Sequence, residues 1–122
     1  MKVVSSKNGR YEIFDNYVIA RYNEGVDITP DNEGDFIKEL LKKHFQNEFG
    51  WISDRVNSYS FSPFLIKYVA NEFDNLKYFA SVSYNKFSKK NEFANRQFPS
   101  SMLIRDFEAV PSAISWILSN LN

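Results

Sequence analysis

Two helix starts written in the same chemistry frame this chain. Thr29 followed by Pro30, and Ser62 followed by Pro63, each put a hydroxyl where a helix N-cap needs an acceptor. Each also puts a proline in the first turn, where the missing N–H is not needed. Asp31 and Glu33 suit the positive end of the first helix. Phe36, Ile37, Leu40, Leu41 and Phe45 then recur at helical spacing, with Lys38, Lys42 and Lys43 on the wet side or near the end. Gly50 ends that helix before a short apolar strand at 51–54, and the second helix runs from Ser62 to about Phe73.

The flanks extend this alternation. Residues 2–6 and 11–14 read as strands with Asn8-Gly9 as a tight turn between them, and 17–22, YVIARY, reads as a third strand. Residues 76–84, LKYFASVSY, form the strongest strand pattern. A polar helix with spaced rings is expected over 87–98, stopped by Pro99. A last strand follows at 102–107. The final helix starts between Asp106 and Pro111 and buries Val110, Ala113, Ile114, Ile117, Leu118 and Leu121. Strands alternating with helices after an opening meander predict an α/β fold: one domain over 1–122, with a mixed, largely parallel sheet of four to six strands and about four helices packed on it.

Composition narrows the function classes. Fifteen basic and fifteen acidic residues cancel, which gives no electrostatic drive toward nucleic acid or anionic lipid and permits a homodimer. The absence of Cys excludes disulfides, thiolate metal sites and Cys nucleophiles. No stretch is apolar enough for a signal peptide or a membrane span, so a cytoplasmic protein is expected. Asp31, Glu33 and Asp35 fall short of a calcium loop, and His44 is a single histidine at a helix end, where the helix dipole favours a protonated ring. Lys86, Lys89, Lys90 and Arg96 read as a solvated helix face. Neither a glycine-rich phosphate loop nor a nucleophile elbow occurs. The expectation is a non-enzyme with no metal, no cofactor and no catalytic residues.

The working surface is expected at the carboxyl end of strand 51–54 and in the loop after it, where open α/β sheets place functional groups. Candidate binding residues are Asp54, Arg55, Asn57, Ser58, Tyr59, Ser60, Phe61 and Phe64. Asp54-Arg55 either orients a ligand or braces the loop. Ser58 and Ser60 are candidate phosphoacceptors, while Ser62 reads as the helix cap. Tyr59, Phe61, Phe64 and Tyr68 either line a binding surface or fill the core of a chain with twelve Phe, seven Tyr and two Trp. Helix two carries more apolar residues than one buried face needs.

Three features carry a family resemblance: the segment WISDRVNSYS, the strand 76–82, and Phe107-Glu108-Ala109 leading into AISWI. With the element order, they make the chain similar to STAS domains of the anti-sigma-factor-antagonist type, and more closely to the small stand-alone SpoIIAA-like bacterial proteins. The resemblance implies a four- or five-stranded sheet with helices packed on it. It also implies a regulatory serine near the start of helix two, matched here by the region of Asp54, Ser58, Ser60 and Ser62. This chain has a longer, aromatic-containing loop without Gly at that place. A more distant resemblance, to the CRAL-TRIO lipid-binding fold, implies an apolar ligand pocket. The expected function is a regulatory or protein-interaction module working through 54–64 and helix two. The alternative is a non-catalytic binder of a small apolar or lipid-like ligand held between helix two and the sheet.

Overall fold

A computed structural model describes residues 1–84 and 102–121. The helix expected over 87–98 lies outside the described residues. The chain opens with β1 (Lys2–Ser6), β2 (Gly9–Ile13) and β3 (Tyr17–Tyr22), an antiparallel meander. Its first turn differs from the expectation by one residue. Ser6 pairs with Gly9, so Lys7-Asn8 forms the turn and Gly9 sits in the ladder. The reason is space. A Cβ on Gly9 would lie 2.4 Å from the Arg21 carbonyl oxygen on β3, so this position needs glycine for close strand approach.

After β3 the chain makes a two-residue strand, β4 (Asp27–Ile28), and a π-helical turn (Pro30–Gly34) that runs directly into α1 (Asp35–His44). Thr29 caps the turn as its sequence predicts. Its Oγ1 accepts from the Asn32 N–H at 3.3 Å, and the Asn32 side chain accepts from the Thr29 N–H at 2.9 Å. Then come β5 (Phe49–Asp54), a second two-residue strand β6 (Ser60–Phe61), α2 (Pro63–Glu72), β7 (Leu76–Val82), β8 (Leu103–Phe107) and α3 (Val110–Asn120). Ser62 caps α2, its Oγ accepting from the Phe64 N–H at 3.2 Å.

The six-stranded sheet runs β1-β2-β3-β5-β7-β8, antiparallel through the meander and parallel from β3 onward. The short strands β4 and β6 pair separately, in parallel. The α/β class and the mixed, largely parallel sheet therefore match the expectation, and three helices are described where about four were expected.

The helices divide between the two faces of the sheet. α1 and α2 cover one face through Ile37, Leu40, Leu41, Leu65, Ile66, Val69 and Ala70. α3 covers the other through Ala113 and Ile117, against Ile19, Ile52, Ala80 and Val82. Every residue of β5 is buried, as a strand covered on both sides must be. Gly50 belongs to this arrangement, because a Cβ there would meet the Ile117 side chain at 2.6 Å. On the α1/α2 face the core is built from rings. Trp51 stacks with Phe79 at 6.3 Å between centroids, Phe61 lies edge-on to both, and Tyr11 meets Trp51 at 6.0 Å. Each such side chain taken out of water contributes on the order of 1.5–3 kcal/mol, which makes this ring cluster a main source of stability. Among the described residues no helix is long and apolar enough to cross a membrane.

Candidate functional site

The carboxyl ends of β3, β5 and β7 meet at Asp54, which is 4% exposed. Its Oδ2 accepts from Arg21 Nε at 2.7 Å, and its Oδ1 accepts from the Tyr84 hydroxyl at 2.8 Å. Arg21 Nη1 lies 2.6 Å from Glu12 Oε1, so the guanidinium bridges two carboxylates across three strands. Burial pulls the Arg21 guanidinium toward losing its proton, but Glu12 and Asp54 outweigh burial and raise its pKa. Tyr84 is pushed up to about 12, first by burial and then by its bond to Asp54. Asp54 is thus a brace that closes the top of the sheet. The side chain that pairs with it is Arg21, on β3, and not its neighbour Arg55. One signal of this was in the sequence: a lone arginine in YVIARY needs a carboxylate across the sheet.

The loop from Arg55 to Ser62 is tied to the protein through Arg55, Asn57, Ser58 and Ser60. Arg55 Nη2 donates to the Tyr59 carbonyl at 2.6 Å, and the guanidinium lies 4.8 Å from the Tyr59 ring centroid. Asn57 Nδ2 donates to the Tyr22 carbonyl at 3.0 Å. The Ser58 N–H donates to Glu24 Oε2 at 2.5 Å, and the Ser58 carbonyl accepts from the Gly25 N–H at 2.7 Å. Ser60 Oγ donates to Asp27, its partner in the β4–β6 ladder. Gly25, at φ 78°, supplies the left-handed residue that lets the 23–26 segment lie against this loop.

The four rings expected near this loop separate into two groups. Tyr59 and Phe61 are buried, Tyr59 edge-on to Tyr22 at 5.1 Å and Phe61 among Trp51 and Phe79. They are therefore core, and neither can dock a partner as a surface ring. The physical reason is the β4–β6 ladder, which folds the loop back so that both side chains point inward. Phe64 stands on the outer side of α2 at 75% exposure, with Tyr68 one turn further along. Lys38 Nζ, from α1, donates to the Tyr68 hydroxyl at 3.0 Å and sits 4.8 Å from the ring centroid, holding that ring in place. The surplus apolar content of α2 is this pair of outward rings.

Among the described residues, little space is left between α2 and the sheet. The void lined by Ile37, Trp51, Phe61, Ile66, Val69, Leu76 and Phe79 is about 10 Å³, room for roughly one water and far below the hundreds of Å³ that enclose a ligand. Among the described residues, the space between α2 and the sheet holds the chain's own side chains and no ligand-sized void.

A second buried polar cluster was not foreseen. Glu33, read as a helix-start acid, turns inward from the π-helical turn and is 3% exposed. It accepts from Tyr11 at 2.5 Å, Ser6 Oγ at 2.7 Å and Asn8 Nδ2 at 2.9 Å. Tyr11 and Tyr22 share a hydroxyl–hydroxyl bond at 2.8 Å. Burial, followed by the neighbouring phenol and Glu33, raises the Tyr11 pKa, and burial raises that of Tyr22. Both phenols stay neutral, so the cluster works as a fully paired brace between meander and helix. His44 also departs from the expectation. Its pKa is lowered, by burial and then by Lys2 and Lys43.

Among the described residues no three His, Asp or Glu side chains converge as metal ligands would. No family model, curated protein or solved structure matches the chain.

Proposed function

We propose that this chain is a non-catalytic, STAS-like regulatory module that binds a protein partner through the outer face of α2 beside the 54–64 loop. One observation carries the reading: Phe64 is three-quarters exposed in the first turn of α2, although the loop before it is pinned by bonds from Arg55, Asn57, Ser58 and Ser60. A rigid mount presenting an exposed aromatic ring has little ordering entropy to lose on docking, which favours association. Tyr68, fixed by Lys38, extends the same face.

The serines fit a regulatory role by repulsion. The Ser58 N–H faces Glu24, and Ser60 Oγ faces Asp27. A phosphate on either serine would set like charges together, loosen the loop and misplace Phe64. Ser62 is engaged in capping.

The test is site-specific photo-crosslinking in the native host. A photoreactive residue in place of Phe64 is expected to capture a discrete protein that one in place of Leu118, exposed on α3, does not. Identical adducts from both positions would reject the surface.

A further inference from the structure

We propose that the groove between β1 and α1 binds an acidic, extended peptide segment of a partner protein, added to the sheet as a strand alongside β1. This surface is separate from the outer face of α2.

The backbone sets the mode. β1 pairs only with β2 among the described residues, so one edge of Lys2–Ser6 presents unpaired N–H and C=O groups. Such an edge is a template for strand addition, in which main-chain bonds supply affinity and side-chain sites supply selectivity. Val3, 51% exposed on this edge, offers an apolar contact to an incoming strand.

The groove sets the chemistry. This open groove spans about 680 Å³ beside β1, with Val4, Phe36 and Leu40 forming apolar floor. Lys2 on β1 and Lys42, Lys43 and His44 on α1 stand around it, against the single carboxylate of Glu39. Three lysines facing one acid make a locally positive rim on a chain whose formal charge is zero. The lowered His44 pKa, caused by burial and then by Lys2 and Lys43, agrees with that field.

Charge also selects among occupants. A second copy adding its own β1 would bring Lys2 and the α1 lysines of both chains together, which like-charge repulsion opposes. β1 itself, KVVSS, contains no acid. A polyanion without apolar groups would leave Val4, Phe36 and Leu40 uncovered. A strand whose carboxylates face the α1 lysines, with their methylenes over the floor, and whose β-branched residues fall on the Val3 side of the sheet satisfies rim and edge together.

Fluorescence anisotropy with a labelled peptide of about six residues, alternating Glu with Val, tests this directly. Saturable binding is expected, weakened at least about tenfold by the exposed-site double variant Lys42→Glu/Lys43→Glu and by backbone N-methylation of the peptide. Amide resonances of Lys2–Ser6 should shift, and the His44 pKa should rise on binding as peptide carboxylates approach. The proposal is overturned by any of four results. These are no saturable binding, equal binding to the double variant, equal binding of a Lys/Val peptide or an oligonucleotide, or self-association of the protein through β1.

Discussion

The phenol of Tyr11 donates to the carboxylate of Glu33 at 2.5 Å, joining the second strand of the meander to the π-helical turn that opens the first helix. Ser6 and Asn8 donate to the same carboxylate, so the first hairpin is anchored from both of its strands and from its turn. Replacing Glu33 by Leu leaves these donors facing an apolar group. The expected loss is about 1–3 kcal/mol, the range for leaving buried neutral donors unsatisfied. Tyr11→Phe, which removes one donor and keeps the ring, should cost about 1–2 kcal/mol. Urea unfolding measures both, and a Glu33→Leu loss below about 0.5 kcal/mol would show that the cluster is not a brace.

The same cluster predicts weakness toward alkali. Burial raises the pKa of Tyr11 and Tyr22 in the folded state. Unfolded tyrosines ionise near about 10, so above that pH the unfolded chain releases protons that the folded chain retains. Their contribution is therefore intact below about pH 10 and declines as pH rises, by about 1.4 kcal/mol per pH unit for each phenol. Unfolding free energies at about pH 9 and about pH 11 should show a steeper fall than in the Tyr11→Phe/Tyr22→Phe protein. Equal slopes would exclude the phenols as the cause.

Gly50 and Ile117 should behave as one unit. A Cβ at Gly50 would lie within 2.6–2.9 Å of Ile117 side-chain atoms, in a fully buried contact between β5 and α3. Gly50→Ala is expected to cost about 1–3 kcal/mol through overpacking. Ile117→Val, mild by itself, should recover part of that loss in the double variant, and strict additivity in a thermal-unfolding cycle would contradict the contact.

Much of the fold was legible because its signals are local. The hydroxyl-proline pairs at 29–30 and 62–63 specify caps through nearby atoms, and Thr29 and Ser62 make those bonds. The apolar stripe of α1 buries Ile37, Leu40 and Leu41 because helical geometry fixes which residues share a face. The final helix follows the same rule less completely: Ala113 and Ile117 are buried, while Leu118 at its margin is exposed.

The site was less legible because it depends on contacts far apart in sequence. Nothing local separates Tyr59 and Phe61, which point inward, from Phe64, which points out. The decision is made by the two-residue ladder between 27–28 and 60–61. Asp54 is matched by Arg21, 33 residues away, rather than by the adjacent Arg55. Glu33 is buried because the π-helical turn rotates it away from the surface a regular helix start would give it. Gly9 looked like a turn residue, whereas its role comes from the Arg21 carbonyl on a third strand.

Charge on Ser60 should release the loop. A Ser60→Glu variant places a carboxylate against Asp27 and removes the hydroxyl donor between them. Amide exchange across 57–62 is expected to quicken, with a global stability loss on the order of 1 kcal/mol. Ser60→Ala, which removes the bond without adding charge, should show the smaller effect. If the two variants exchange alike, phosphorylation at Ser60 has no repulsive leverage on the loop.

The outer face of α2 is the central claim, and affinity for the protein captured through position 64 tests it most directly. Phe64→Ala should leave unfolding free energy within about 0.5 kcal/mol of the parent, since its ring is three-quarters exposed, while Tyr68→Ala, made singly or with it, should cost about 1 kcal/mol through the lost contacts to Lys38. Binding should fall by at least about tenfold for Phe64→Ala and further for the pair, as expected when an anchoring aromatic is removed. Unchanged affinity in the stable double variant would contradict the claim and remove α2 as the surface through which this protein acts.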